Sequence, residues 1–362
     1  MRYDTPNPHP TSRDQLAERF RLFATTEVEE TSPLYHRLAL AVANDADLLT
    51  LAATARAGQP PPNMLFAAVH FLLLQDPAYE LAHYFPDLVE TPRPRTEAAA
   101  IFRTFCLEHQ AAITAQLRTR LVQTNELRRC AYLLPALSFV AALARKPLSL
   151  VEVGASAGLN LLFDRYTYSY NLGSAKVRAG APHSPVEIDA GCHMQPGAEL
   201  SLALPAIEHR IGLDLNPVDL TDEDAYRWLR ALIWPEHADR VRRLERARRI
   251  WLEQPPALVR GDAVQELPAL LGSASTETAL VVFHTHVLNQ FTPTAAAALE
   301  EIFLQFSSAR TIYRVGNDLG GGTPKQYLLR LRVYHGGERV EQPLAYTDGH
   351  ARSIVWVAGA GR

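Results

Sequence analysis

The sequence has little cysteine: 3 residues in 362, at positions 106, 130 and 192, with no two close and no C-x-x-C. That spacing argues against a disulfide framework or a zinc ribbon, and the odd count fits a reducing compartment. Long hydrophobic runs are also lacking. The longest, "MLFAAVHFLLL" (64–74) and "AYLLPALSFVAALA" (131–144), fall short of the roughly 20 residues of a membrane span and read as buried helices. The N-terminal "MRYDTPNPHPTSRDQ" is polar and proline-rich with no apolar h-region, so no secretory signal is expected and a cytoplasmic place is. Nor is there a surplus of positive charge. Lys and Arg number 36 against 39 Asp and Glu, a formal net charge of -3, which lends no electrostatic support to a nucleic-acid partner. The densest basic stretch, Arg240, Arg242, Arg243, Arg246, Arg248 and Arg249, is interleaved with Asp239 and Glu245 and reads as a solvated helix face.

What is present changes character near residue 147. Before it, apolar residues recur at helical spacing, as Leu16, Phe20 and Phe23 do behind a candidate N-cap at Ser12. Ser32 and Pro33 mark another helix start, and "GQPPPN" and "ETPRPRT" (90–96) break the pattern. No period-2 strand appears in this part. After it, "LSLVEV" (148–153) enters a glycine turn as a buried parallel strand would. Four more candidates follow at 208–216, 256–262, 278–286 and 309–318, separated by helical stretches at 222–232, 236–253 and 293–307. Such alternation predicts a doubly wound α/β sheet. The tail, "QYLLRLRVYHGGERVEQPL" and "ARSIVWVAG", reads as a terminal hairpin region with its turn at "HGGE". The expected division is an all-helical domain over 1–147 and an α/β domain over 148–362. The latter carries an insertion at about 164–204, rich in Tyr, Gly and Pro, that is expected to hold strands and loops. It would form a wall of the active site or a passive excursion.

"VEVGASAGLN" (151–160) carries the chemistry. A P-loop would need G-K-[ST], and the dinucleotide fingerprint would need glycine at Ser156 and Leu159, so both fail. Gly154-Ala155-Ser156-Ala157-Gly158 also fits the G-x-S-x-G elbow of serine hydrolases. A Ser156, Asp318, His350 triad can be assembled, cheaply in a chain with 13 His, but the elbow's usual upstream strands are replaced by helices. Read from Glu152, the same string is acid-x-G-x-S-x-G. With Glu152 two residues before the first glycine, Asp214 ending "IGLDLNP", Asp262 and Ala263 after "LVRG", and "LVVFHTH" as a fourth strand, residues 148–362 resemble a class I S-adenosylmethionine-dependent methyltransferase. Ser156 departs from that pattern by replacing the middle glycine, and the stretch from Gly158 to Asp214 is far longer than the roughly 20 residues usual before a ribose-binding acid. The whole chain also resembles a bacterial family known only as a domain of unknown function, in which a helical N-terminal part precedes this type of loop.

The resemblance implies a Rossmann-like, mostly parallel sheet. S-adenosylmethionine would be the cofactor, bound by Glu152, Gly154, Ser156, Gly158, Asp214, Asp262 and Ala263, and the methyl group would pass to a small molecule. His284 and His286, two apart at the end of the fourth strand, are the candidate catalytic residues. A neutral imidazole there would take a proton from the acceptor, and Asn289 and Gln290 would line the same mouth. H-x-H also suits a metal, but spacing supplies no third ligand, so no metal is expected. Bland alternatives stand beside each role. Glu152 would pair at a strand end, Asp214 would cap a helix, Asp262 would hold a turn, and Tyr166, Tyr168 and Tyr170 would pack in a strand rather than stack on a substrate. The expected partner is a small-molecule substrate, with neither nucleic acid nor membrane. The helical part would serve as a lid or in assembly. A serine hydrolase, or a methyltransferase-like protein that binds a ligand without catalysis, are the alternatives.

Overall fold

Helices begin where the sequence caps them. The computed structural model describes residues 12–173, 175–319 and 326–359, the side chains of Asp318 and Leu319 excepted; most of the N-terminal segment weighed for a signal lies outside them. Ser12 caps α1 (Arg13–Phe23) with a reciprocal capping box through Gln15. Ser32 and Pro33 open α2 (Pro33–Val42), and Asp45 caps α3 (Ala46–Ala52). Prolines after the "GQ" break start α4 (Pro61–Gln75), and α5 (Ala98–Glu108) and α6 (Gln110–Thr119) follow the second break.

The chain divides into two units, but not at residue 147. One comprises residues up to Thr124 together with Thr221–Glu245; the other comprises Asn125–Leu220 and Arg246–Arg362. The physical reason lies in what each helix buries. α7 (Cys130–Ala144) is apolar nearly all round, and its residues Cys130–Ser138 are buried within the second unit. With the preceding turn it is long and apolar enough to cross a membrane by composition, but its span is 61% buried here, as a core helix is. α8 (Glu223–Ala231), by contrast, gives Trp228 and Ala231 to the core of the helical unit, alongside Phe20, Phe23, Tyr35, Leu65, Phe66 and Phe102. Each large side chain of that core contributes roughly 1.5–3 kcal/mol by burial. His70, buried in the same unit, sits between the Ala231 carbonyl at 3.2 Å and the Asp87 carboxylate at 2.9 Å.

The basic cluster lies on α9 (Ala238–Glu253), and it is less solvated than its composition implies. Arg243 is buried and pairs with Asp239 at 2.6 Å, Arg246 donates to the Pro185 carbonyl, and Arg248 donates to that of Leu220.

The second unit carries one mixed sheet of eleven strands among the described residues. They are β1 (Leu148–Val153), β2 (Thr167–Leu172), β3 (Ala175–Gly180), β4 (Glu187–Met194), β5 (Ile207–Asp214), β6 (Ala257–Arg260), β7 (Ala279–His284), β8 (Ile312–Leu319), β9 (Tyr327–His335), β10 (Glu338–Thr347) and β11 (Ser353–Trp356). The order is β3-β2-β4-β11-β10-β9-β8-β7-β1-β5-β6. Six of the ten pairings are parallel. α10 (Ala263–Ser273) and α11 (Pro293–Phe306) follow β6 and β7, and their residues Leu267, Leu271, Leu299 and Phe303 pack with Val151, Val153 and Val282 of the sheet. The expected hairpin is present, with Gly336 and Gly337 supplying the positive φ of the "HGGE" turn.

Within this order the chain reverses at β1. From β1 it goes to β5 and β6 on one side, then returns to β7 and β8 on the other. Ligands of open α/β sheets bind outside the carboxyl ends of the strands at such a reversal. The insertion is not a loose excursion: β2, β3 and β4 join the same sheet at its far end through a parallel β4–β11 pairing.

Candidate functional site

The loop after β1 is shaped by left-handed backbone. Gly154, Ser156 and Gly158 have φ of 75°, 52° and 72°, a region that glycine enters freely and serine only under constraint. The constraint at Ser156 is visible. Its N–H donates to Asp214 Oδ2 at 2.8 Å, and its carbonyl accepts from Val218 N–H. Asn125 brackets the loop, accepting from Ala157 N–H at 3.0 Å and donating to the Ala155 carbonyl at 3.2 Å. The glycines leave room that the protein itself fills. A Cβ at Gly154 would stand 2.6 Å from Val287 Cγ2, and one at Gly158 would stand 2.8 Å from Pro256 Cγ.

Asp214 ends β5 beside this loop, and its second oxygen accepts from Asn216 N–H at 2.8 Å. Two amides therefore fix the carboxylate at the reversal point. Glu152 lies on the same face of the sheet by register, since its partner on β5 is Gly212, two residues before Asp214. It is fully buried. Asn160 Nδ2 donates to Oε1 at 3.1 Å, while Oε2 has no hydrogen-bond partner. Burial pushes the Glu152 acid up to about 8, against the Asn160 hydrogen bond and the Arg129 charge and helped by Asp214. Asn160 also reaches Thr285 Oγ1 at 3.5 Å and accepts from the Cys130 thiol. Asp262 is exposed and caps α10 through Val264 N–H, with Ala263 buried behind it.

The histidines part company. β7 ends at His284, which pairs in register with Val153 and Gly316, whereas Glu152 pairs with Phe283. His284 and Glu152 therefore face opposite sides of the sheet. The His284 ring is buried against Gly316, where a Cβ would collide with it, and neither ring nitrogen has a partner. Burial, with Arg314, Arg332 and His286 adding repulsion, holds it neutral, well below the usual histidine range. His286 does not continue the strand. Its φ is 56°, its ring packs edge-on to Tyr327 at 4.3 Å, and its Nε2 is buried without a partner. Burial, and then the charges of Arg129 and His350, lower its pKa strongly. The charge of Arg129 thus acts on both Glu152 and His286. Asn289 and Gln290 are exposed.

No group hydrogen-bonds the Ser156 hydroxyl among the described residues. His350 lies 3.4 Å from Glu126 Oε2 instead, and the Asp318 side chain lies outside the described residues. Tyr166, Tyr168 and Tyr170 are buried, and their hydroxyls donate to the carbonyls of Leu159, Phe163 and Ala131, so none is offered to a substrate. All three cysteines are free and buried. No group of three or more His, Cys, Asp or Glu is arranged for a metal among the described residues.

A family described as uncharacterised protein conserved in bacteria (DUF2332) matches residues 17–356. The chain belongs to that family. No curated protein and no solved structure matches it.

In this DUF2332 member, several residues at the strand ends carried no signal of their own in the sequence. Asn125, Arg129 and Tyr132 sit upstream of the glycine loop, in what read as helix, and Asn317 hides at the end of a strand. Tyr132 donates its hydroxyl to Asn317 Oδ1 at 2.8 Å. Only Asn160, eight residues after Glu152 in the quoted loop, could have been read as its partner.

Proposed function

We propose that the chain is an S-adenosylmethionine-dependent methyltransferase acting on a small molecule. The observation that carries this is the coupling of Ser156 N–H to the Asp214 carboxylate across the strand reversal. It ties the glycine loop to an acid at the end of the neighbouring strand, the pair a nucleoside cofactor needs. The order β6-β5-β1-β7-β8, with antiparallel β9 beside β8, agrees with a class I methyltransferase-like, Rossmann-like domain. The residues present fit the cofactor in their order along these strand ends. Asp214 would hold ribose hydroxyls, Asp262 and Ala263 would flank the adenine, and the loop from Glu152 to Gly158 would meet the amino-acid part. The sulfonium supplies an activated methyl group when bound, so the chain's task is to orient the acceptor and exclude water. His286, held neutral by burial and by the charge of Arg129, would meet the acceptor as a neutral hydrogen-bond partner rather than as a base that keeps its proton.

A second reading, ligand binding without methyl transfer, is favoured by the burial of His284, which takes one candidate proton acceptor away from the loop. Serine hydrolysis loses ground because no group hydrogen-bonds the Ser156 hydroxyl among the described residues.

The test is S-adenosylhomocysteine binding followed by calorimetry and melting temperature. Wild type should bind, and Asp214→Ala should weaken binding by roughly 1–3 kcal/mol. Equal affinity in the variant would remove Asp214 from the site, and no binding by wild type would reject the methyltransferase reading. Binding without turnover across an acceptor panel would leave the second reading standing.

A further inference from the structure

One cation without an ion pair among the described residues narrows the ligand class of this strand-end site, on the reading that the site takes a small molecule. Arg129 precedes α7 and is half-buried. Its one side-chain hydrogen bond among the described residues runs from Nε to the Gly349 carbonyl at 3.4 Å, and it makes no ion pair with any of them. Its neighbour Arg128 shows the ordinary alternative, pairing with Asp189 at 2.9 Å. The carboxylates nearest in chemistry to Arg129 are otherwise engaged. Glu126 accepts from Arg128 N–H and lies against His350, and Glu152 accepts from Asn160 in a setting that favours its neutral acid. Half-buried, this guanidinium has given up part of its hydration without a counter-charge among the described residues, which leaves its Nη atoms open to an anion.

Arg129 stands three residues before Tyr132 on the same helical face, and Tyr132 reaches Asn317. Asn317 Nδ2 is buried with no partner, its Oδ1 being taken by Tyr132. Gly349, which accepts from Arg129, packs against Tyr327, and Tyr327 packs against His286 with its unpartnered Nε2. The left-handed backbone at His286 is the kind of strain that persists where surroundings hold it for use. A guanidinium and an amide N–H₂ together match the paired oxygens of an anion.

We propose that Arg129 is the anion-recognition residue of the strand-end site, and that its ligand is a small molecule bearing a carboxylate or phosphate, held by the Arg129 Nη atoms and the Asn317 amide. The same guanidinium would turn the rest of the molecule toward Glu152 and His286. This assigns the methyl acceptor, not the cofactor, as the anionic partner.

Calorimetry with benzoate, inorganic phosphate and benzamide tests it, benzamide being the neutral match of benzoate. Wild type should bind at least one anion about tenfold or more tightly than benzamide, and the better of the two distinguishes a carboxylate from a phosphate ligand. Arg129→Gln should erase the preference, and Arg129→Lys should restore part of it. Asn317→Asp, which places a like charge there, should also erase it and serves if Arg129→Gln does not fold. A parallel arm uses S-adenosylhomocysteine and 5′-methylthioadenosine, which lacks the amino-acid part. Arg129→Gln should leave both affinities unchanged. The proposal is overturned if wild type shows no anion preference, or if the preference survives Arg129→Gln. It is also overturned if that variant weakens S-adenosylhomocysteine but not methylthioadenosine, which would give the guanidinium to the cofactor's own carboxylate. Failure of wild type to bind either nucleoside, with the anion preference intact, rejects methyl transfer and leaves the anion site standing.

Discussion

The two halves of the sheet bury polar groups under different rules. In the inserted part, Tyr166, Tyr168 and Tyr170 are wholly buried, and each hydroxyl finds a backbone carbonyl. In the parallel part, Glu152 and His284 are buried as deeply, yet Glu152 Oε2 and both His284 nitrogens have no partner. The exceptions include two small hydroxyls, Ser169 on β2 itself and Thr347 on β10. Buried polar atoms are nearly always satisfied, and each one left unsatisfied costs about 1–3 kcal/mol. The tyrosines therefore belong to the architecture, while the strand ends of the parallel half hold groups whose partners the fold does not provide.

The comparison breaks first at the glycine loop. Gly158→Val should destabilise the protein by about 2–5 kcal/mol, combining a left-handed backbone with a side chain forced onto Pro256 and Leu258. Urea denaturation measures this. A loss below about 1 kcal/mol would mean that the loop relaxes easily and that its packing does not define it.

Next in size is a pH dependence carried by Glu152. Its folded acid is raised to about 8 from an ordinary value of 4.5, so the folded chain keeps a proton that the unfolded chain has released. The stability it contributes is complete below 4.5 and is lost as pH rises toward 8, by an amount on the order of a few kcal/mol. Glu152→Gln should flatten that slope relative to wild type between pH 5 and 9, since an amide still accepts from Asn160. Parallel slopes for the two proteins would show that Glu152 has found a partner.

Tyr168→Phe sharpens the other side. Losing the donation to the Phe163 carbonyl should cost about 0.5–1.5 kcal/mol in the same denaturation assay, with no change in ligand affinity. A change in ligand affinity would return the tyrosines to the site. The smallest effect belongs to Ser156→Ala. Its hydroxyl is buried without a partner, so stability should move by less than about 0.5 kcal/mol. A fluorophosphonate probe should label neither protein, and stoichiometric labelling of wild type would restore the hydrolase elbow.

Much of the architecture was legible because it rests on local rules. Ser12, Ser32 and Pro33 open helices as their types suggest, and the five parallel strands lie within a few residues of their apolar runs. α10 was overlooked because Pro268 interrupts its pattern, although Asp262 caps it. The division between units was misplaced because α7 reads like its helical neighbours. Which core a helix serves depends on contacts that periodicity does not encode. At the site, the order of Glu152, the glycines and Asp214 was visible in the string. The orientation of His284 was not, since it turns on the strand ending one residue before Thr285 and on the register with Gly316. Arg129 and Asn317 were invisible because their meaning comes only from proximity across the fold.

The parallel pairing of β4 with β11 also has a consequence for assembly of the chain. Strands made early, β2 to β4, can complete their hydrogen bonding only after residues Ser353–Trp356 have been synthesised. Until then the β4 edge stands open as a template for another chain, and closure awaits a contact between segments very far apart in sequence. During synthesis, which adds about 5–20 residues per second, this edge is the aggregation-prone stage of the molecule. A chain ending before Ser353 would stay at that stage, losing solubility before any residue of the strand-end site is touched.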